Sequence, residues 1–175
     1  MKIPFVGQAY TLRSKSLAAQ QCVDFYVERS EVNPEQMALY GTAGTRKLTT
    51  LPADGGIRQL YVPSTGKAIA VQGRKVYRVD GNFNYTAVFG ADLLSSSGYV
   101  CITDNGTVAV LVDGLHGYVL DLQTNILTQI VNEAFYGADR VGFIDGYFIF
   151  NKPNTQQFYI STLYGTDFNA LDFAS

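Results

Sequence analysis

Residues 99–122 read YVCITDNGTVAVLVDGLHGYVLDL, and this stretch decides the fold. Two apolar runs flank a DNG turn at residues 104–106, and a third run follows a DG turn at residues 113–114. Asn-Gly and Asp-Gly pairs supply the positive φ angles that tight hairpin turns need. The central run, residues 108–112, is apolar at every position, which is typical of a strand buried on both faces. The stretch therefore predicts three antiparallel strands joined by short hairpins.

The same pattern occurs three times, in units that begin at Ile57, Tyr99 and Val141. The glycines of the first hairpins recur every 40 residues, at Gly66, Gly106 and Gly146. A tyrosine in a later strand recurs every 41 residues, at Tyr77, Tyr118 and Tyr159. A strand-rich repeat of about 40 residues is the usual size of one β-propeller blade. The predicted fold class is therefore all-β, with propeller-like blades of four antiparallel strands.

The repeat divides the chain into four segments of one structural domain. Residues 1–56 are expected to form an N-terminal extension and a partial or atypical first blade, with at most one helical turn at residues 16–21. Blade-like units then cover residues 57–96, 97–137 and 138–175, the last of them possessing a truncated end. Because propellers usually close with four to eight blades, we expect an incomplete or N-terminal part of a propeller. A longer natural protein or another chain would complete the ring.

Alternation of apolar and polar residues, short apolar runs and turn pairs together predict the individual strands. They are expected at residues 23–28, 37–40, 57–63, 68–72, 76–80, 85–89, 99–103, 108–112, 118–122, 126–131, 141–144, 147–150 and 157–161. A further strand is indicated around residues 168–173.

The composition is that of a folded chain with little charge. Apolar residues make up 47% of the 175 residues, charged residues 16%, and the net charge is −2. The largest basic groups are pairs such as Arg46-Lys47, whereas a protein that grips a phosphate backbone needs a concentrated positive surface. Tight nucleic-acid binding by this chain alone is therefore not expected. The sequence also lacks both an apolar run of ~18 residues that could span a membrane and a secretory signal pattern at its start.

Cysteine and histidine residues are too few and too dispersed to indicate a reactive centre. Cys22 and Cys101 lie among apolar neighbours and are interpreted as small buried hydrophobic residues, with a disulfide between them left open. The single histidine, His116, has no GxSxG motif or cysteine near it in sequence, so it is interpreted as an exposed turn residue. One histidine and two distant cysteines make a tetrahedral zinc site improbable. No catalytic, cofactor-binding or metal residue is assigned, and binding residues remain unknown.

Five aspartates are the candidates for acid–base chemistry: Asp104, Asp113, Asp121, Asp139 and Asp145. Paired carboxylates on propeller loops can hydrolyse glycosides. Most of these aspartates occupy turn positions, however, where a short acceptor side chain caps the backbone. The segment ITDNGTV at residues 102–108 invites comparison with the aspartate box of sialidase-like propellers, but it lacks the preceding serine, the spacer and the tryptophan.

Other site motifs are incomplete. The DNG and DG pairs lack the wider acidic spacing of a calcium loop. The segment GTAGTRK at residues 41–47 lacks the spacer and the GK[ST] ending of a phosphate loop. Asn84 and Asn105 each begin a glycosylation sequon, which is interpreted as a chance match. The many aromatic residues and the open edge expected of an incomplete propeller favour contact with other proteins.

Four stretches resemble one family, the packaged-DNA stabilisation proteins of tailed bacteriophages. They are YGTAG (40–44), LPADGGIRQLYV (51–62), YVCITDNGTVAVLVDGLHGYVLD (99–121) and GADRVGFIDGYFIFNKPNTQQFYISTLYGTDFNALDFAS (137–175). The resemblance covers roughly residues 20–175 and is most specific in the last stretch. Proteins of that family are longer than this chain, which agrees with an incomplete propeller.

The resemblance implies a non-enzymatic virion protein of a short-tailed phage or prophage, assembled in the cytoplasm of the bacterial host. Such a protein docks below the portal–adaptor ring, helps to retain packaged DNA, and contacts the needle, the tailspikes and copies of itself. Contact with DNA in the channel is expected to be passive, and no membrane, cofactor or small-molecule substrate is expected. The alternatives are a carbohydrate-binding or glycan-processing propeller and a generic protein-interaction propeller.

Overall fold

The computed structural model describes residues 24–33 and 37–174, and they are all-β. These residues contain fifteen strands and no helix, so they also offer no helical membrane span. The chain divides into two compact units between Lys47 and Leu48. The predicted all-β class is confirmed for the described residues, whereas the expected helical turn at residues 16–21 and Cys22 lie outside them.

The first unit contains a two-stranded antiparallel hairpin. Strand β1 (Phe25–Arg29) pairs with β2 (Met37–Gly41), in agreement with the two strands predicted there. The Tyr26 and Tyr40 rings stack across the pair, with their centroids 5.7 Å apart. Beyond the strands, the Thr42 N–H donates a 2.8 Å hydrogen bond to the Asp24 carbonyl oxygen and extends the pairing by one step.

The second unit contains three sheets, each built on a meander of four antiparallel strands. Sheet 1 consists of β3 (Ile57–Tyr61), β4 (Ala68–Gln72), β5 (Lys75–Val79) and β6 (Tyr85–Ala87). Sheet 2 consists of β8 (Cys101–Asp104), β9 (Val108–Val112), β10 (Gly117–Asp121) and β11 (Ile126–Gln129), with β7 (Phe89–Gly90) at its edge. Sheet 3 consists of β12 (Val141–Ile144), β13 (Tyr147–Asn151), β14 (Phe158–Ser161) and β15 (Phe168–Ala174). The predicted four-stranded antiparallel units are therefore present.

The repeated tyrosines occupy the same register position in the three sheets. Each lies on the third strand and pairs with one residue on the second strand and one on the fourth. Tyr77 pairs with Ala70 and Ala87, Tyr118 with Leu111 and Gln129, and Tyr159 with Phe150 and Phe173. The sequence spacing of 41 residues thus corresponds to a structural repeat.

The repeated glycines lie in the hairpin between the first two strands of each sheet. Their φ angles are nearly identical, at +88° for Gly66, +87° for Gly106 and +86° for Gly146. At the β12–β13 turn both central residues are left-handed, because Asp145 has a φ of +51°. Positive φ at both central positions is the geometry that an Asp-Gly pair favours, and the predicted hairpin chemistry is confirmed there.

The predicted strand at residues 85–89 is wrong in one respect, because two sheets share it. Residues 85–87 pair with β5 in sheet 1, whereas Phe89 and Gly90 pair in parallel with Ile126 and Leu127 of β11 in sheet 2. A Cβ atom on Gly90 would lie 2.3 Å from the Leu127 carbonyl oxygen, and the Gly90 φ is +97°. Glycine is therefore needed for the close approach that lets the chain leave sheet 1 along the edge of sheet 2.

Two apolar cores join the three sheets face to face. One face of sheet 1 packs on sheet 2 through fully buried side chains that include Ile69, Val71, Leu111 and Tyr118. The opposite face of sheet 2 packs on sheet 3 through a second set: Val110, Val112, Phe148, Phe150 and Tyr159. Strands β4 and β9 are buried along most of their length, as their continuous apolar runs predict, whereas β13 alternates between buried and half-buried residues.

The first strands of the three sheets are neighbours. Strand β8 contacts both β3 and β12, and β12 also contacts β9. These are the close strand contacts between different sheets in the described residues. The sheets therefore approach one another most closely at their first strands.

Candidate functional site

Polar side chains tie sheet 1 to sheet 2 at the end of the sheets where β3 and β8 begin. Arg58 on β3 is the centre of a group that also contains Ser95, Asp113 and His116, here called the Arg58 cluster. Ser95 lies in the connection before β8, and Asp113 and His116 lie in the hairpin between β9 and β10. The cluster thus draws on three separate parts of the chain.

The Arg58 guanidinium donates four hydrogen bonds. Its Nε binds the Gly98 carbonyl oxygen at 2.9 Å, and its Nη1 binds the carbonyl oxygens of Gly73 and Ser95 at 2.8 Å each. Its Nη2 binds Ser95 Oγ at 2.8 Å, and that hydroxyl donates in turn to Asp113 Oδ2. Burial lowers the pKa of Arg58, and the Asp113 carboxylate partly offsets this effect. The guanidinium therefore crosslinks the two sheets.

The Arg58 cluster brings a serine, an aspartate and a histidine together in an order that does not suit nucleophilic catalysis. His116 Nδ1 lies 3.5 Å from Asp113 Oδ1, and the Asp113 side chain is fully buried. The Ser95 hydroxyl is bonded to the carboxylate of Asp113 and not to the imidazole. A serine nucleophile needs direct contact with the histidine that removes its proton. The cluster therefore holds Ser95 as a bridge between Arg58 and Asp113.

His116 is less exposed than the sequence predicts. It does lie in a hairpin turn, but its side chain is 31% exposed and Nδ1 is buried without a hydrogen bond among the described residues. The reason is the adjacent Asp113, whose Oδ1 accepts a 2.9 Å hydrogen bond from the His116 backbone N–H and draws the turn inward.

A second polar group ties the same two sheets at their other end. Asp104, the last residue of β8, accepts hydrogen bonds from Tyr61 Oη at 2.7 Å, from Ser64 Oγ at 2.5 Å and from the Gly106 N–H at 2.9 Å. Burial raises the pKa of Asp104, but its hydrogen bonds from Ser64, Tyr61 and the Gly106 backbone together outweigh burial and lower the pKa below its ordinary value. This carboxylate joins the first hairpin of sheet 1 to the first hairpin of sheet 2.

Sheets 2 and 3 are tied in a similar way. The Gly114 N–H donates a 2.9 Å hydrogen bond to the Ala138 carbonyl oxygen, and the Tyr159 hydroxyl donates at 2.7 Å to the Gly137 carbonyl oxygen. The Arg140 guanidinium lies 4.6 Å from the centroid of the Tyr99 ring, in cation–π geometry. Each junction between sheets thus combines an apolar core with polar ties near the first strands.

The candidate aspartates divide between two ends of the sheets. Because adjacent strands are antiparallel, Asp104 and Asp121 lie at one end of sheet 2 and Asp113 lies at the other. Asp145 lies at the Asp104 end of sheet 3, and Asp139 lies near Gly114 at the Asp113 end. Asp121 accepts two backbone hydrogen bonds within its own turn, from Gln123 and Thr124 at 2.8 Å each, and these lower its pKa. The structure therefore does not bring the five carboxylates together.

The other candidate residues serve local structure. Cys101 is half-buried against the core between sheets 2 and 3, with Sγ 3.7 Å from the Val141 carbonyl oxygen. Asn84 donates through Nδ2 to Asp80 Oδ2 at 3.2 Å. Asn105 Oδ1 accepts from the backbone N–H groups of Thr107 and Val108. Both sequon asparagines thus hold hairpin turns. Among residues 24–33 and 37–174, no group of three or more histidine, cysteine or acidic side chains is placed to hold a metal ion.

Comparison of the chain with protein-family models and with curated proteins finds no match. Function therefore has to be argued from the residues and their geometry. The polar residues that matter most in that geometry, Arg58 and Ser95, carry no local sequence signal, because their partners lie up to 40 residues away in the chain. Chemically, the arrangement can hold sheets together, and its hydroxyl and carboxylate groups are already engaged in doing so.

Proposed function

We propose that this chain is a non-enzymatic structural protein of a phage tail, which docks below the portal–adaptor assembly and helps to retain packaged DNA. The sequence resemblance of residues 137–175 to the packaged-DNA stabilisation proteins is the starting point for this proposal. The observation that carries it is the stack of three four-stranded sheets. A stack that is joined by apolar cores resists force through packing and not through chemistry.

We further propose that the three sheets are successive blades of a propeller. In a propeller the first strand of each blade lies nearest the central axis, and the outer strands diverge. The neighbouring positions of β3, β8 and β12 support this arrangement, as does the common register of the repeated tyrosines. Repeats that stack only on their neighbours leave a bare face at each end of the array.

The exposed surface supports contact with further protein. On the face of sheet 3 that points away from sheet 2, Ile144 is 57% exposed and Phe158 is 45% exposed. These two residues lie at opposite ends of that face, and Ile149 and Ile160 pair between them. Exposed apolar side chains along one sheet face favour burial against another protein surface. We propose that this surface meets a neighbouring tail subunit, whether a copy of this chain or a component of the adaptor ring.

The charge of the chain supports a passive role toward DNA. The sequence pI is about 5.3 and the net charge is −2. Affinity for duplex DNA comes mainly from phosphates neutralised by lysine and arginine, so a weakly acidic surface lets DNA slide without adhering. Retention would then come from the position of the protein in the channel.

Reconstitution with the portal–adaptor complex tests the proposal. The purified protein is mixed with that complex and imaged by negative-stain electron microscopy, and we expect additional density at the outer end of the adaptor ring. A glycan array probed with the same preparation distinguishes the carbohydrate-binding alternative. Glycan binding without docking would overturn the proposal, and docking without glycan binding would support it.

A further inference from the structure

A small groove lies between the outer parts of sheets 1 and 2. Its volume is about 240 Å³, and its lining includes Lys67, Arg78, Asp80, Thr86 and Asn125. Arg78 and Thr86 are paired neighbours on β5 and β6, and Asn125 belongs to the turn that precedes β11. This space is here called the first groove.

Arg78 is a buried cation without a counter-charge. It is 6% exposed, its Nε makes no hydrogen bond, and it forms no salt bridge within the described part of the chain. Burial lowers its pKa. A buried guanidinium is costly unless an acceptor satisfies it, so its retention at this position calls for a partner.

The carboxylate that lines the groove, Asp80, is already engaged elsewhere. Asp80 Oδ1 accepts 2.9 Å hydrogen bonds from the backbone N–H groups of Asn82 and Asn84, and Asp80 Oδ2 accepts from Asn84 Nδ2 at 3.2 Å. Those bonds, led by the one from the Asn84 backbone, lower the pKa of Asp80. Asp80 therefore holds its own turn and leaves the Arg78 charge unpaired.

The chain carries its own control, because a second groove lies between sheets 2 and 3. That groove has a volume of about 520 Å³, and its lining includes the residues that lie 41 or 42 positions after Lys67, Arg78, Asp80 and Thr86. In the second groove, Asp121 and Thr128 occupy the positions that Asp80 and Thr86 occupy in the first groove. The positions of Arg78 and Lys67 are instead occupied by Val119 and Val108. The aspartate and the threonine thus recur, but both cations are confined to the first groove. The fold itself therefore does not require a cation at these two positions, since valine occupies them in the second groove.

We propose that the first groove binds a small oxyanion that carries an O–H group, such as inorganic phosphate. The Arg78 Nε–H donates to one oxygen, and the Lys67 ammonium adds a second positive charge at the exposed mouth. Asn125 Oδ1, which is buried and has no hydrogen-bond partner in the described residues, accepts from the O–H group. This inference is independent of the proposed tail function.

Thermal unfolding of the protein at pH 7 with and without inorganic phosphate tests the proposal. Phosphate stabilises most proteins through exclusion from their surface, so the readout is the difference between the natural protein and Arg78→Val. A ligand that binds only the folded state raises Tm, and we expect this additional rise in the natural protein and its loss in Arg78→Val. An equal response in the two proteins would overturn the proposal.

Two further comparisons keep the test decisive if Arg78→Val fails to fold. Titration calorimetry should show phosphate binding weakened roughly tenfold by Lys67→Gln, the loss of one charge-assisted contact, and unchanged by Lys75→Gln. Lys75 is a matched control because it is exposed and pairs with Asp92 outside the groove. Sulfate, which carries no proton at pH 7, should bind more weakly than phosphate. Equal affinities of the two lysine variants, or equal binding of the two ions, would contradict the assigned contacts.

Discussion

The Tyr159 hydroxyl donates a 2.7 Å hydrogen bond to the carbonyl oxygen of Gly137, which lies 22 residues earlier in the chain. The ring stacks on Phe150 with a centroid distance of 5.2 Å, and burial raises the pKa of the phenol. Tyr118, at the same register position in sheet 2, accepts a 2.7 Å hydrogen bond from the Leu94 N–H. In sheets 2 and 3 the repeated tyrosine thus fastens the sheet to the segment that enters it.

Tyr159→Phe is expected to destabilise the protein by about 1–3 kcal/mol, because it leaves the buried Gly137 carbonyl oxygen without its donor while the ring packing is kept. Urea unfolding followed by circular dichroism measures the loss. Tyr164→Phe is the control, since Tyr164 is 70% exposed, and it should change stability by less than about 0.5 kcal/mol. Equal effects of the two changes would contradict this role of Tyr159.

Asp113→Asn tests the Arg58 cluster. The carboxylate is fully buried and accepts hydrogen bonds from Ser95 and His116, so we expect its loss to cost about 2–4 kcal/mol. Asp92→Asn is the matched control, because Asp92 pairs with Lys75 at the surface and such pairs contribute about 0–1 kcal/mol. Chemical denaturation of both variants provides the comparison. A cost for Asp113→Asn no larger than that of the control would show that the cluster does not tie the sheets.

Gly90→Ala tests the passage of the chain from sheet 1 to sheet 2. The added Cβ would lie 2.3 Å from the Leu127 carbonyl oxygen at a φ of +97°, so we expect a loss of about 1–3 kcal/mol or more. Gly142→Ala is the control, since nothing lies within 4 Å of its Cβ position and its φ is not left-handed. Thermal unfolding should show a lowered Tm for the first variant only. An unchanged Tm for Gly90→Ala would refute the close pairing of β7 with β11.

The lowered pKa of Asp104 predicts that protonation of this carboxylate contributes to unfolding in acid. Its pKa in the folded protein lies below the ordinary value of 3.8, so its carboxylate stabilises the fold fully above that value. This contribution is lost as the pH falls through the lowered pKa, since the unfolded chain takes up the proton first. Asp104→Asn should therefore have a shallower stability–pH slope below about pH 4 than the natural protein.

Tyr61→Phe provides the intermediate case for that measurement. It removes one of the donors that lower the Asp104 pKa, so its slope should fall between those of the natural protein and Asp104→Asn. Stability is measured by urea unfolding at a series of pH values between about 2.5 and 6, a range that brackets the titration of a carboxyl group. Three identical slopes would exclude Asp104 as a contributor.

The sequence predicts the strands well because their signals are local. Apolar runs such as residues 108–112 and turn pairs such as Asp145-Gly146 act over a few residues, and the corresponding elements are present. The switch of Phe89 and Gly90 to another sheet depends on a backbone that lies 37 residues further along the chain. No local pattern encodes such a pairing, so the fourth strand of the first unit is predicted too long.

The polar ties between the sheets are harder to predict from sequence, because their partners also lie far apart in the chain. Arg58 reads as one charged residue in an ordinary strand, and its environment is set by Gly73, Ser95 and Gly98. Arg78 is different, because its signal is present in the repeat itself. Aligning the three units by their tyrosines places Arg78 at the position that Val119 and Ile160 occupy in the other two units. A cation at a position that otherwise holds an aliphatic residue marks an unusual environment.

Genome retention by phage particles is the decisive test of the proposed tail function. Particles assembled without this protein are compared with complete particles, and the fraction of packaged DNA that resists nuclease is measured in each. We predict that particles without the protein lose their DNA and that adding the purified protein to freshly filled particles restores retention. Full retention by particles that lack the protein would contradict it.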